Sequence, residues 1–320
     1  MNGPISTKQK PMDSPTNRSK RRLRWFFEGE RGLRTGWSAL LFVAIALTLE
    51  AAVASFQKHF VSSELPNPIP LHFAFIQETS QVLIVVAATF VMARIEGKNL
   101  LFYGYLGPRK LRRLTAGAVW GVTTLSAMIA ALYKAKAITF DPVQASSANV
   151  WTAGVGWAFL FLLVGIFEES LLRGYLQFTL SRGIGFWWSA CVLSVVFALI
   201  HVGNGGESLS GLVELALSGL FFCVSLWCTG SLWWAVGFHA GWDWAESFLY
   251  GTPNSGLLMR DHLFASRPVG DLRLSGGASG PEASLLMLPL YTTILVGMWI
   301  WWGRRRSALP DPLGIEKQWN

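Results

Sequence analysis

The stretch Val164-Gly165-Ile166-Phe167-Glu168-Glu169-Ser170-Leu171-Leu172-Arg173 places two adjacent glutamates inside a long apolar segment. A charged side chain near the centre of a membrane-spanning helix costs about 2.5–3.5 kcal/mol on insertion scales, and such residues usually face a bundle interior or a water-filled cavity. Because a function has to justify this cost, the stretch predicts a polar site inside a bundle of membrane helices.

The composition of the 320-residue chain also indicates a membrane protein. The chain is 52% hydrophobic and 14% charged, has a mean hydropathy of +0.38 and contains 16 tryptophans, which is too apolar for an ordinary soluble domain. Cys191, Cys223 and Cys228 lie inside apolar stretches, so we interpret them as small hydrophobic residues and not as disulfide partners or metal ligands. We therefore expect an integral membrane protein.

Eight apolar windows are candidates for membrane spans, for which a helix needs about 20 residues. They are residues 36–56, 71–93, 116–133, 151–176, 186–202, 209–228, 232–250 and 283–302. The windows predict an all-α fold, namely a polytopic transmembrane helical bundle of about eight spans with a polar cavity within the membrane.

Basic residues are concentrated at both ends of the chain and at residues 109–113, and they account for the net charge of +8. Lys and Arg accumulate on the cytosolic side of membrane proteins, so we interpret these clusters as orienting the spans and expect no nucleic-acid partner. With eight spans, all three clusters fall on one side. We expect a basic cytosolic N-terminal tail at 1–35, a transmembrane domain at 36–302, a basic cytosolic C-terminal tail at 303–320, and location in the plasma membrane.

The two adjacent glutamates have different expected roles, because helical geometry separates their side chains by about 100°. Glu169 and Arg173 are four residues apart, which favours an intrahelical ion pair that lowers the cost of holding both in a membrane. Glu168 is left to face a cavity, where a carboxylate near neutral imidazoles can act as a general base toward water. The alternative is that both glutamates brace the bundle through Arg173.

Two later windows carry histidines at helical spacing from a second notable residue. Phe197 lies one turn before His201, although a single histidine on an apolar helix is more often structural than functional. His239 and Asp243 are four residues apart and share a helix face. Together they can hold a metal, donate hydrogen bonds to a developing oxyanion, or form a structural hydrogen bond between helices.

The three stretches Glu168-Glu169-x-x-x-Arg173, Phe197-x-x-x-His201 and His239-x-x-x-Asp243 resemble, in order and in membrane setting, the signature motifs of the CPBP family of intramembrane proteases. That family includes the type II CAAX prenyl endopeptidases and bacterial proteins labelled abortive-infection proteins. The resemblance covers a motif core at 151–250 and implies that the transmembrane domain 36–302 is a protease domain.

The resemblance implies that Glu168 and His201 activate a water molecule, and that His239 and Asp243 stabilise the tetrahedral oxyanion. Glu169, Arg173 and Phe197 are then supporting residues. The family has been described both as metalloproteases and as glutamic proteases that need no metal. We favour the mechanism without a cofactor. Zinc held by Glu168, His201, His239 and Asp243 remains the alternative, because this chain has Asp243 where the family also admits an asparagine, which donates hydrogen bonds at any pH.

The predicted function is therefore an intramembrane endopeptidase that hydrolyses a peptide bond in a membrane-associated protein or peptide. A non-catalytic membrane scaffold or immunity protein is one alternative, because buried polar clusters also serve helix packing. A proton-coupled transporter is another, because buried Glu and His residues also build proton relays.

The depth of His201 conflicts with this arrangement when regular helices are assumed. At about 1.5 Å per residue, His201 lies about 22 Å from the start of its window, whereas Glu168 and His239 lie about 10–12 Å from their cytosolic ends. The difference shrinks if residues 174–188 run partly along the interface, so that the fifth membrane span begins later. Residues 202–206 would then lie in the membrane, beside protein or a wet cavity.

Four further glutamates lie in the apolar windows and have no basic partner at helical spacing. We interpret them as mostly structural or interfacial. They are Glu50, Glu78, Glu214 and Glu246.

Overall fold

The computed structural model of the chain describes residues 27–29, 32–58, 68–141, 150–204, 206 and 208–302. Within these residues the chain is mainly helical, which confirms the prediction of an all-α membrane bundle. The predicted basic C-terminal tail and most of the predicted N-terminal tail lie outside the described residues.

Ten α-helices follow one another along the described part of the chain. The first five are α1 (Thr35–Gln57), α2 (Leu71–Glu96), α3 (Lys110–Lys134), α4 (Val150–Glu168) and α5 (Gln177–Ile184). The next five are α6 (Phe186–Ile200), α7 (Leu209–Thr229), α8 (Trp233–Trp244), the single turn α9 (Leu272–Ser275) and α10 (Met287–Trp302). A π-helical segment, Glu169–Leu176, joins α4 to α5, and a second, Ala245–Leu249, extends α8.

Short antiparallel strands pair in two places. The strands β1 (Glu28–Gly29) and β2 (Gly32–Leu33) form one pair before α1. The strands β3 (Ile138–Asp141), after α3, and β4 (Ala265–Pro268), in the loop after α8, form the other. This second pair fixes the long loop at residues 251–282 to the end of α3.

Each of the eight apolar windows contains a helix, but the helices differ in their capacity to cross a membrane. Five are long and apolar enough by length and composition: α1, α2, α3, α7 and the continuous helical run from α4 through α5. The helices α6 and α10 are apolar but shorter. Beyond the fourth window, the π-helical segment with its non-helical Gly174 is followed by α5, which ends at Ile184.

Glycines bring α3 and α8 into close backbone contact. Gly117 and Gly121 on α3 face Gly237 and Gly241 on α8, and a Cβ atom on any of the four would overlap backbone atoms of the facing helix. Small residues allow membrane helices to approach closely, and dispersion contacts along the interface then hold them together. The contact holds the helix that carries His239 against α3.

Candidate active site

The glutamate pair lies where α4 changes into the π-helical segment. Glu168 is the last residue of α4, and Glu169 is the first residue of the segment Glu169–Leu176. Inside the segment the backbone of Gly174 (φ −81°, ψ −116°) is not helical. π-Helical turns are rare and occur frequently at functional sites. The regular α-helix that the sequence analysis assumed is therefore interrupted beside the residues of greatest interest.

Glu169 and Arg173 form a buried ion pair. Arg173 Nη1 lies 3.3 Å from Glu169 Oε1, and both side chains are fully buried. The Arg173 guanidinium also lies 4.5 Å from the centroid of the Phe197 ring and 5.3 Å from that of Phe222, which are cation–π distances. Because an unpaired buried charge is costly, Arg173 and its neighbours support Glu169 in its ionised form.

His201 is the first residue after α6, and its tautomer follows from its hydrogen bond. Its Nδ1 lies 2.8 Å from the Phe197 carbonyl oxygen, which only accepts, so Nδ1 carries the hydrogen and donates. In the neutral ring Nε2 then has a free lone pair. This atom lies 4.0 Å from Glu168 Oε1, too far for a direct hydrogen bond but close enough for a water molecule to join them.

His239 on α8 contacts three carboxylates. Its Nδ1 lies 3.2 Å from Glu169 Oε1, and because Glu169 is paired with Arg173, Nδ1–H is the donor. On the other side of the ring, Nε2 lies 3.4 Å from Glu168 Oε2 and 3.6 Å from Asp243 Oδ2. The ring also stacks on Phe222, with centroids 5.1 Å apart. Glu169 therefore determines which nitrogen of His239 faces Glu168.

A cavity of about 130 Å³ brings Glu168, His201, His239 and Asp243 together. This volume holds several water molecules. Glu168 Oε2 is buried and has no hydrogen-bond partner, so the carboxylate points into this space with an unsatisfied acceptor. Four polar side chains from α4, the end of α6 and α8 thus surround one cavity.

Residues 149–245 match the family model described as type II CAAX prenyl endopeptidase Rce1-like. This match supports the resemblance of the region to the CPBP family of intramembrane proteases. The match includes all seven residues that the resemblance singled out, from Glu168 to Asp243. No curated protein matches the chain significantly.

The three motifs meet although α6 begins at the first residue of the fifth window. The later start of the fifth membrane span stays a prediction. The π-helical segment, with its kink at Gly174, and α5 lead from Glu168 to Ile184, and α6 runs from the Gly185 turn to Ile200, next to His201. Glu168 and His201 are almost equally distant from Gly185 along the chain, so this helical hairpin brings them to the same level.

Glu78 on α2 also lines this cavity, which was not predicted from the sequence. Its interpretation as mostly structural or interfacial stays a prediction. No local signal identifies Glu78, because α2 lies outside the three motifs and Glu78 has no partner at helical spacing. Of the other three glutamates, Glu50, Glu214 and Glu246, none lines this cavity within the described part of the chain.

The loop after α8 closes the cavity with polar groups. Asn254, Ser255 and Glu282 line it, and Asn204 Nδ2 donates to the Ser255 carbonyl oxygen at 2.7 Å. Asn204 belongs to the turn after His201, where the sequence analysis expected broken backbone beside protein or a wet cavity. Gly205 in that turn lies outside the described residues.

Buried carboxylates extend from Asp243 away from the histidines. Potential ligand oxygens of Asp243, Glu246 and Glu282 lie within 4.8 Å of one another. The Trp242 indole N–H lies 3.1 Å from both Glu246 Oε2 and Glu282 Oε1, and Glu282 Oε2 accepts from the Ser255 hydroxyl at 2.8 Å. Hydrogen bonds from neutral donors thus compensate part of the burial of these acids.

The donor set around Glu168 fits zinc in chemical type. Hydrogen bonds to Phe197 and Glu169 fix the Nδ1 atoms of His201 and His239 as donors, which leaves both Nε2 atoms directed toward Glu168. Zinc accepts such nitrogen and carboxylate ligands, and histidine ligands in zinc sites commonly donate through their other nitrogen. Glu168, His201, His239 and Asp243 are therefore the residues that would hold a zinc ion.

Proposed function

We propose that this protein is an intramembrane endopeptidase in which Glu168 is the general base toward water. The observation that supports the proposal is the unsatisfied Glu168 Oε2 in a cavity shared with two imidazoles. A general base must reach the proton that it removes, directly or through one water, and the 4.0 Å between Glu168 and His201 accommodates a shared water. The acceptors available to that water are Glu168 Oε1 and the lone pair of His201 Nε2.

In the proposed reaction the water gives one proton to the Glu168 carboxylate as its oxygen bonds to the carbonyl carbon of the substrate. The carbonyl π electrons move to oxygen and form a tetrahedral oxyanion. Protonated Glu168 then gives its proton to the peptide nitrogen, the C–N bond breaks, and a carboxylic acid and an amine are released. Positioned proton transfer of this kind contributes about 10²–10⁴-fold to rates.

His239 and Asp243 are proposed to stabilise the oxyanion. His239 donates Nδ1–H to Glu169, so in this role its Nε2 carries a second proton and donates to the oxyanion. Asp243 Oδ2 lies 3.6 Å from the same nitrogen and donates to the oxyanion in its protonated form. Glu169 acts through His239 and is a positioning residue, held by Arg173.

The proposed substrate is a membrane-associated protein or peptide. The apolar side chains that line the cavity, among them Phe161, Phe221 and Leu257, suit a peptide that enters from the membrane. Because the matched family model describes a CAAX prenyl endopeptidase, a farnesylated CAAX peptide is the first probe, and its unprenylated form is the second.

Zinc remains the second candidate for activating the water. When bound, the ion would make the water easier to deprotonate and polarise the substrate carbonyl. The favoured mechanism needs no cofactor, because Glu168 and His201 supply both proton acceptors. The two mechanisms differ in the expected effect of chelation, which abolishes cleavage if zinc activates the water and leaves cleavage unchanged if Glu168 does so without a metal.

The experiment compares the full-length protein with Glu168→Gln in proteoliposomes that contain a fluorogenic farnesylated CAAX peptide and its unprenylated form. Glu168→Gln is expected to lower kcat/KM at least about 100-fold while Tm is preserved. Glu50→Gln, which removes a glutamate from α1 that does not line the cavity, is the matched control and should cleave normally. Full activity of Glu168→Gln would contradict the proposal, and proton-driven flux without cleavage would favour the transporter alternative.

We also propose that both termini face the cytosol in a plasma membrane, from the basic clusters in the sequence. Reporter domains fused to each end should both be cytosolic. An extracytosolic signal from either end would contradict this orientation.

A further inference from the structure

A second concave site lies between the first part of α3 and the last part of α10. Arg109, Arg112 and Arg113 line its charged end, and Trp120, Gly297 and Ile300 belong to its apolar part. We refer to this site as the arginine groove. It shares no lining residue with the catalytic cavity, so what it binds is independent of the proposed proteolysis.

The charged end of the arginine groove has an excess of positive charge. No acidic residue lines it, and within the described residues none of its three arginines forms an ion pair. Arg113 is only partly exposed, and burial of an uncompensated charge costs stability. This end of the groove therefore favours an anion.

The position of these arginines at the start of a helix adds to that preference. The helix α3 begins at Lys110, no side chain caps it at Arg109, and no acidic residue occupies its first turn. The N-terminus of a helix carries partial positive charge and unpaired N–H groups, so arginines there oppose the helix dipole unless an anion is present. A phosphate at this point would neutralise the arginines and accept from the free N–H groups.

The rest of the arginine groove is apolar and open. Its volume is about 570 Å³, within the range of about 300–1,000 Å³ that is usual for small-molecule sites. A Cβ atom built on Gly297 meets no atom within 4 Å, so α10 leaves free space there. Trp120 lies seven residues beyond Arg113 on α3, about 10 Å further along the helix, and is half exposed. The groove thus joins a cationic end to an apolar trough.

We propose that the arginine groove binds an anionic phospholipid of the surrounding membrane. The headgroup phosphate lies at Arg109, Arg112 and Arg113, and an acyl chain follows the trough past Gly297. Basic pockets between membrane helices bind anionic headgroups, and guanidinium groups match phosphate geometry by paired hydrogen bonds. The charge and the shape of the groove both match this occupant.

The test measures lipid binding to the purified full-length protein by native mass spectrometry, with phosphatidylglycerol and phosphatidylcholine of identical acyl chains. The wild type is expected to bind phosphatidylglycerol at least about tenfold more tightly than phosphatidylcholine. The variant Arg112→Gln/Arg113→Gln is expected to lose that preference. Its matched control is Arg94→Gln/Lys98→Gln, which should keep the preference for phosphatidylglycerol. This variant removes two exposed charges near the end of α2, at the other end of the loop that joins α2 to α3.

A shape variant tests the trough without changing any charge. Gly297→Leu fills the open space and is expected to weaken phosphatidylglycerol binding several-fold while Tm and elution volume stay unchanged. Equal loss in both charge variants would show diffuse surface attraction and overturn the proposal. So would unchanged binding in Gly297→Leu, or full competition by millimolar inorganic phosphate. All outcomes can be read in a Glu168→Gln background, since the readout is binding and not cleavage.

Discussion

The two walls of the catalytic cavity differ in how the chain builds them. We call one the motif wall, which is formed by Glu168, His201, His239 and Asp243. The other, which we call the far wall because its residues lie outside the three motifs in the sequence, is formed by Glu78, Asn254, Ser255 and Glu282. The motif wall holds both imidazoles, whereas the far wall holds only carboxyl, amide and hydroxyl groups. The comparison indicates that the proposed chemistry is concentrated in three short motifs, while the enclosure of the site depends on distant parts of the chain.

The largest effect on activity is expected from substitutions in the motif wall. His201→Ala and His239→Ala are each expected to lower kcat about 10²–10⁴-fold, because one removes a partner of the water and the other an oxyanion donor. Steady-state cleavage of the farnesylated peptide in proteoliposomes measures this. Replacement of His72, which does not line the cavity, is the control and should leave kcat unchanged. Wild-type cleavage rates in both cavity variants would contradict the view that the motif wall carries the proposed chemistry.

The next largest effect is expected for the ion pair of Glu169 and Arg173, which supports the motif wall. Arg173→Met leaves Glu169 buried without its cation and is expected to lower the free energy of unfolding by about 3–5 kcal/mol. Glu169→Gln/Arg173→Met should be less destabilised than Arg173→Met alone, because no unpaired charge remains. Thermal unfolding of the variants measures both, with Arg94→Met, at an exposed arginine, as control. Strict additivity of the two substitutions would show that the pair is not coupled.

Substitutions in the far wall are expected to lower activity less than substitutions in the motif wall. Glu282→Gln keeps the side-chain shape and still allows its carbonyl oxygen to accept from Ser255, so kcat/KM is expected to fall less than about tenfold. Peptide cleavage at several substrate concentrations separates a change in KM from one in kcat. A loss as large as that of His201→Ala would place Glu282 in the motif wall and end the distinction.

Removal of metal is expected to have the smallest effect. Dialysis of the wild type against a strong chelator should leave the cleavage rate unchanged, because the favoured mechanism uses only side chains. Cleavage that disappears on chelation and returns with zinc alone would instead show that the motif wall acts as a zinc site.

Sequence spacing predicted pairs of residues within single motifs because this information is local, whereas the resemblance to the CPBP family joined the three motifs into one predicted site. The spacings Glu169/Arg173 and His239/Asp243 indicate which side chains share a helix face, and the apolar windows predict that these helices lie in a membrane. The residues within each motif could therefore be named before the structure was known.

The remaining features depend on contacts that spacing does not encode. The contact of Glu169 with His239 joins residues 70 positions apart, and Glu78 reaches the cavity from a helix outside the motifs. The π-helical segment gives no signal in the hydrophobic pattern, and regular helical geometry misjudged the depth of His201 relative to Glu168, which lies 4.0 Å from it. Tertiary packing decides such features, and apolar periodicity reports only which face is buried.

The central claim is tested most directly by two glutamates that line the same cavity, Glu168 in the motif wall and Glu78 in the far wall. Glu168→Gln and Glu78→Gln make the same chemical change, and both can be assayed beside the wild type with one farnesylated peptide. The account predicts a loss of at least about 100-fold in kcat/KM for Glu168→Gln and less than about tenfold for Glu78→Gln. Equal rates for the two variants, or normal cleavage by Glu168→Gln, would contradict it.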